Sequence, residues 1–323
     1  MRRREFVRSA SIGLGASALG LGLGACEAED SAGRTDQGGR SALGAAGGDA
    51  DFTFAHLTDP HIQPELRAAE GCRQCFEQVT RLEPDFALVG GDLVFDVMDA
   101  GRPRATELFA LWDRGAASLE MPLHHAVGNH DAFGINTNSG VAPTDPWYGK
   151  KVFEDRIGAL YYSFDHKGWR FIVLDSIAVQ PGPERPYYGL VDGDQVGWLE
   201  KTLAEAGPDV PVVILTHVPI LTAFWSYIRS AREATPNTVV VDNSRELVDL
   251  FRPYNVKAVL QGHTHIRETI EYEGCKFITS GAISGDWWKG LRMGHPEGYG
   301  LLTVRGEEIE WEYRTYGWEA AAG

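Results

Sequence analysis

The chain has 323 residues, a formal net charge of −15, 43% hydrophobic and 23% charged residues. These are ordinary globular proportions, enough for one large core or a single two-sheet domain plus extensions. So acidic a chain is not drawn to nucleic acid or anionic lipid head groups by its overall field, and no nucleic-acid partner is expected.

The N-terminus reads as targeting sequence. Arg3-Arg4-Glu5-Phe6-Val7 resembles a twin-arginine export signature, and a Gly/Ala-diluted apolar stretch follows from Ala10 to Ala25. That stretch is too short for a membrane span. It ends in Leu23-Gly24-Ala25-Cys26, which resembles a bacterial lipobox, so Cys26 is the expected lipidation site after cleavage of residues 1–25. The alternative is an ordinary signal peptide with an unrelated Cys. Cleavage removes four Arg and one Glu, moving the net charge from −15 to −18. Residues 26–50, rich in Ala, Gly, Ser and Asp, read as a flexible linker between a lipid anchor, the only membrane contact expected, and a domain over 51–318, with a tail over 319–323.

From Phe52 the chain alternates β-like and α-like segments. Phe52–Leu57 reads as a strand, Arg67–Leu82 as a helix, Phe86–Val89 as a strand, Ala105–Leu119 as a helix and Leu123–Val127 as a strand. This order implies a parallel sheet with right-handed crossovers. Cys72-Arg73-Gln74-Cys75 opens the first helix without a thioredoxin-like context, and reads equally as a local bridge or an idle pair. Leu160–Asp165 and Trp169–Leu174 flank a hairpin turn at His166-Lys167-Gly168. Val191–Ala206 reads as a helix, and Val212–Leu215, Ser244–Phe251 and Val256–Leu260 restore strand, helix and strand. Two hairpins close the chain, Glu268–Tyr272 with Lys276–Thr279 and Leu301–Val304 with Ile309–Tyr316. The pattern predicts an α/β fold, a four-layer α/β/β/α sandwich of two mixed sheets.

A polar cluster follows five of the strands: Asp59-Pro60-His61, Gly90-Gly91-Asp92, Gly128-Asn129-His130-Asp131, Thr216-His217 and Gly262-His263-Thr264-His265. Open α/β sheets bind ligands at the carboxyl ends of their strands, so the five can converge on one edge. Carboxylate, imidazole and amide oxygen donors suit Zn, Fe or Mn. Each residue taken singly reads as a turn, a cap or a satisfied polar group; the ordered set does not.

The order D-x-H, G-D, G-N-H-D, H and G-H-x-H resembles the calcineurin-like metallophosphoesterase superfamily over roughly residues 52 to 316. The resemblance implies two divalent or trivalent metal ions (Mn, Fe or Zn) at the strand ends. Asp59, His61, Asp92 and His265 would ligate one, and Asn129, His217 and His263 the other, with Asp92 bridging. A hydroxide held between the ions would attack phosphorus in line. His130, no ligand in the family pattern, would stabilise the transition state or protonate the leaving oxygen, with Asp131 orienting it. Phe95 stands where purple acid phosphatases carry Tyr, which argues against a tyrosinate–iron site. Asp131, and the run Gly91-Asp92-Leu93-Val94-Phe95-Asp96-Val97 where G-D-x-x-D-R-G is carried, depart from the protein Ser/Thr phosphatases. The bacterial branch with cyclic-nucleotide phosphodiesterase-like and acid-phosphatase-like members is the better match.

Three long loops, 132–151, 219–242 and 281–299, overhang the strand ends, and loops this long in a compact domain are usually functional. Trp147, Tyr148, Trp225, Asp286 and Trp288 are the candidate substrate rim; packing of the aromatics onto the body is the plainer alternative. His56, His124, His125 and His166 match no motif. The leading expectation is a phosphomonoesterase or phosphodiesterase acting outside the cytoplasm, as a periplasmic or cell-surface lipoprotein. Alternatives are a 3′,5′-cyclic nucleotide phosphodiesterase, and a surface lipoprotein that binds a partner around structural metals.

Overall fold

The computed structural model describes residues 51–320 apart from 181, 184 and 185. The expected signal peptide, linker and Cys26 lie outside the described residues. The first half of the domain runs β1 (Phe52–Leu57), α1 (Ala68–Thr80), β2 (Phe86–Val89), α2 (Arg102–Ala116), β3 (Leu123–His125), α3 (Lys151–Arg156), β4 (Tyr162–His166) and β5 (Trp169–Val173). A small pair follows, β6 (Ile177–Val179) and β7 (Tyr187–Gly189), then α4 (Gly193–Ala206), β8 (Val212–Leu215), α5 (Phe224–Ile228), α6 (Ser244–Phe251) and β9 (Val256–Gln261). The chain ends in β10 (Arg267–Tyr272), β11 (Cys275–Ser280), β12 (Gly298–Arg305) and β13 (Glu308–Thr315).

Two mixed sheets result, of strand order β13-β12-β1-β2-β3 and β10-β11-β9-β8-β5-β4. Within them β1, β2 and β3 run parallel, as do β5, β8, β9 and β11. Period-two alternation separates the layers. Phe52 and Phe54 of β1, Phe86 and Leu88 of β2, Phe171 of β5 and Val213 and Leu215 of β8 form the core between the sheets. Their neighbours Ala55, Leu57, Ala87, Val89, Ile172 and Ile214 join the core under the helices, with Phe76 of α1, Trp112 of α2, Leu199 of α4 and Phe251 of α6. Phe54 stacks on Phe86 at 5.0 Å, and Phe171 meets both edge-on. The four-layer sandwich is therefore present, and its parallel strands end on one side.

Several local expectations shift. Gly298 and Tyr299 read as the end of a loop and Leu301 as the first strand residue, yet β12 opens at Gly298. A Cβ on Gly298 would lie 2.5 Å from the Arg314 carbonyl, and one on Gly300 2.7 Å from Ser280 Oγ, so close strand packing demands glycine there. The pair β6–β7 and the helices α3 and α5 are too short for their periodicity to register. Cys72 and Cys75 are free, buried thiols on the inner face of α1, and burial raises both above the usual thiol range. They carry no bridge. His124 stacks flat on Phe164 and His125 lies edge-on to Trp112, while His166 pairs with Asp85. None of the three joins the strand-end cluster. Among the described residues no helix is long and apolar enough to cross a membrane.

Candidate metal centre

Each polar cluster begins where a parallel strand stops. Leu57 hands the chain to Asp59, Val89 to Asp92, Leu215 to His217 and Gln261 to His263. The turns are tight. Asp59, His61, Asp92, His263 and His265 all hold positive φ, between 41° and 72°. That conformation costs a side-chain-bearing residue about 1–3 kcal/mol, so five such residues in one place mark a site held by its surroundings.

The glycines beside them have a different reason. A Cβ on Gly128 would sit 2.1 Å from Asp92 Oδ1, one on Gly91 2.7 Å from His217 Nδ1, and one on Gly262 2.2 Å from Thr58 Oγ1. The polar turns come this close only because the glycines have no side chain.

All seven residues expected as ligands meet here. His61 Nε2 lies 3.1 Å from His265 Nε2 and 3.4 Å from Asp92 Oδ2. Asp59 Oδ1 lies 3.2 Å from His265 Nε2, and Asp92 Oδ2 3.2 Å from His217 Nε2. Asn129 Oδ1 stands 3.1 Å from His217 Nε2. Asp59, His61 and His265 form one compact donor trio, and Asp92, His217 and His263 another.

Backbone carbonyls orient three of the imidazoles. His217 Nδ1 donates to Gly90 O at 2.7 Å and His265 Nδ1 to Gly285 O at 2.6 Å, which turns Nε2 of each inward. His263 is reversed: its Nε2 donates to Thr238 O at 2.8 Å, leaving Nδ1 for the site.

The donor set fits cations. Asp59 and Asp92 are fully buried, and among the described residues their only charged partners within reach are imidazoles. Buried carboxylates without a counter-charge are costly. The field they create is visible in the imidazoles: burial works against the charged form of His217, but Asp92 and Asp59 raise it to about 9. Asp92 lies between the trios, as a carboxylate shared by two ions must.

His130 reaches the same cavity. Its backbone N–H donates to Asp92 Oδ1 at 2.8 Å, and its ring stands 4.8 Å from that of His61. Burial favours the neutral imidazole, but Asp92 and Asp96 outweigh it and raise His130 to about 9.

The carboxylate beside His130 is Asp96, 3.6 Å from Nδ1, and not Asp131. Asp131 is spent on the backbone: its oxygens accept from Gly128 N at 2.9 Å and Val94 N at 3.3 Å. It pins the turn to the loop after Asp92. Burial and the nearby Asp92 charge push its carboxyl up to about 7. In sequence Asp131 is adjacent to His130 and Asp96 is not, so spacing alone favoured the wrong carboxylate.

The expected rim also changes. Trp288 is buried under α1, where a Cβ on Gly71 would strike its ring, and its Nε1 donates to Pro60 O and His61 O. It supports the turn that carries His61. Trp147 packs on Phe133 beneath Arg102, and Arg229 covers Trp225. These two and Tyr148 are absent from the lining of the cavity, whose volume is about 210 Å³. Tyr187, Phe224, Val239, Trp287 and Arg292 line it instead, with Asp92, Asn129, His130, His263 and His265 of the site. Asp286 acts at one remove, binding Arg292 at 2.9 Å. Neighbouring aromatics in the same loops were the available signal, but only packing separates Trp287 from Trp288. Phe95 stands 6.3 Å from the His61 ring and offers no phenol oxygen.

The family model described as calcineurin-like phosphoesterase matches residues 52–267. The chain belongs to this family. It is a metallophosphoesterase, a hydrolase of a family that depends on two metal ions. The chain is 28% identical to a probable cyclic nucleotide phosphodiesterase of Rhodococcus erythropolis, over 68% of this chain and 67% of that protein. It is 27% identical to a cAMP/cGMP dual specificity phosphodiesterase of Mycobacterium tuberculosis, over 69% of this chain and 65% of that protein. A dimetal phosphatase from Danio rerio has the same fold, with a TM-score of 0.59 at 15% identity, covering 82% of this chain and 99% of the other. Family membership decides for a hydrolase over a lipoprotein that merely binds a partner.

Proposed function

We propose that the protein is an exported, lipid-anchored phosphoric ester hydrolase. Asp59, His61 and His265 would hold one metal ion and Asn129, His217 and His263 a second, with Asp92 available to both. When bound, the two ions supply positive charge that polarises the phosphoryl group and activates water. The observation that carries this reading is the pair of buried carboxylates, Asp59 and Asp92, whose only charged partners among the described residues are imidazoles.

The rest is done by the chain. With Nδ1 of His130 turned to Asp96, Nε2 is the atom left to give a proton to the leaving oxygen. Asp92 Oδ1 fixes the His130 backbone, so the shared carboxylate and the acid keep a constant separation. Tyr187, Phe224 and Trp287 line the cavity and offer apolar surface to the alcohol portion of the substrate. Export and the anchor are supported by the arginine pair and by Leu23-Gly24-Ala25-Cys26.

The test is turnover. Purified protein reconstituted with Mn, Zn or Fe is assayed on 4-nitrophenyl phosphate, its bis-ester and cyclic AMP. Hydrolysis of at least one substrate, abolished by chelation, is expected; two bound ions with no turnover on any would refute the reading. Likeness to the two bacterial relatives supports a second reading, a 3′,5′-cyclic nucleotide phosphodiesterase. It requires cyclic AMP to be hydrolysed with a kcat/KM above that for the nitrophenyl esters.

A further inference from the structure

One cation in the cavity wall has no role in the metal centre. Among the described residues Arg292 is the only lysine or arginine that lines the cavity. It is held from two sides: Nη1 donates to Asp286 Oδ1 at 2.9 Å, and Cζ lies 4.9 Å from the centre of the Trp287 ring. Trp287 in turn stands 4.6 Å from the His265 ring. The row leads outward, from His265 at 1% exposure, through the Arg292 side chain at 26%, to the neighbouring Leu291 at 61%. The guanidinium therefore sits one indole out from the metal trio, at the mouth of the cavity.

Its Nε is buried and has no acceptor among the described residues. A buried donor left unpaired costs stability, so Asp286 alone does not complete the hydrogen bonding of this guanidinium. Arginine whose flat face is stacked and whose fork is pre-aimed recognises carboxylate and phosphate by paired hydrogen bonds. The chain as a whole carries −15, so an anion is attracted to this mouth only by local charge.

We propose that Arg292 is a specificity-determining residue that receives a second anionic group, carboxylate or phosphate, on the alcohol part of the substrate. Asp286 and Trp287 are its positioning residues. The inference rests on the phosphoester hydrolase reading of the metal centre and names the substrate class of that site: phosphoesters that carry a further negative charge beyond the scissile phosphoryl group.

Three aryl esters test it: phenyl phosphate, 4-carboxyphenyl phosphate and 1,4-phenylene bisphosphate, each with metal-loaded full-length protein. The wild type should prefer one or both doubly anionic esters over phenyl phosphate in kcat/KM by roughly 10- to 100-fold. The carboxylate and bisphosphate arms show which anion the fork takes. Arg292→Gln should collapse that preference, mainly through KM, and Arg292→Lys should keep only part of it, since the charge remains and the fork does not. Asp286→Asn, which frees the guanidinium without removing it, should lower the preference less than Arg292→Gln.

A binding arm separates failure of this inference from failure of the hydrolase reading. Calorimetric titration with phenylphosphonate and 4-carboxyphenyl- and 4-phosphonophenylphosphonate needs no turnover. One or both doubly anionic phosphonates should bind more tightly, and Arg292→Gln should remove the gap. Equal affinity of all three ligands for the wild type, or an undiminished gap in Arg292→Gln, overturns the inference. Tight anion-dependent binding without hydrolysis of any ester would overturn the hydrolase reading instead.

Discussion

Gly128→Ala isolates the geometry of the shared carboxylate. Gly128 is outside the left-handed region, so alanine there is free of backbone strain and the effect is purely steric. The new Cβ would stand 2.1 Å from Asp92 Oδ1 and 2.2 Å from Asp92 N. Ordinary contact requires about 1 Å more on both, and the second atom is backbone, so rotating the Asp92 side chain cannot relieve the clash. Asp92 must shift from Gly128, which changes its 3.4 and 3.2 Å spacings to His61 and His217. A misplacement of about 1 Å in a catalytic group can cost on the order of 100-fold in rate. The variant should therefore bind fewer than two metal ions per chain by elemental analysis and lose roughly 100-fold or more in kcat on every phosphoester. Gly197→Ala is the control: it lies within α4, a Cβ there meets nothing within 4 Å, and alanine should raise stability by about 0.5–1 kcal/mol. Two metals and near wild-type kcat in Gly128→Ala would refute the reasoning.

Other perturbations separate the remaining roles. His130→Ala should keep both metals and lose roughly 10²–10⁴ in rate on alkyl phosphoesters, with a much smaller loss on nitrophenyl esters, whose leaving group needs no proton; equal losses would move His130 from the leaving oxygen to the phosphoryl oxygens. Asp96→Asn should reproduce that leaving-group dependence in weaker form, whereas Asp131→Asn should lower the melting temperature without it. Burial lowers His125 to about 4, and its Nε2 has no partner, so it is neutral when folded and protonates more readily when unfolded. Its contribution is complete above about pH 6.5 and falls by roughly 1.4 kcal/mol per pH unit on descending toward pH 4. His56, His124 and His263 are lowered to about 4 as well, so His125→Phe should reduce the slope in urea unfolding by one group's share; an unchanged slope would contradict the assignment. Cys26→Ala should shift the protein out of the membrane fraction, and unchanged membrane association with normal cleavage would exclude the lipid anchor.

The sequence by itself determined most of the strands of the two sheets and roughly where they end. Phe52–Leu57, Phe86–Val89 and Val212–Leu215 are apolar runs whose alternate residues face two different cores, so composition and period suffice to find them. It also determined that Asp59, His61, Asp92, Asn129, His217, His263 and His265 come together, because each follows the end of a parallel strand and parallel strands end on one side. Tertiary packing decided what spacing along the chain does not encode. Asp131 adjoins His130 in sequence, yet its carboxylate turns to Gly128 and Val94, and Asp96, brought over by the loop after β2, takes the place beside the imidazole. Trp287 and Trp288 are consecutive and chemically identical, yet one faces the cavity and the other the core. Arg292 is an unremarkable loop cation until Asp286 and Trp287 turn it to the mouth of the site. Strand ends are a local property of the chain, whereas the direction of a loop side chain is set by whichever distant surface it meets.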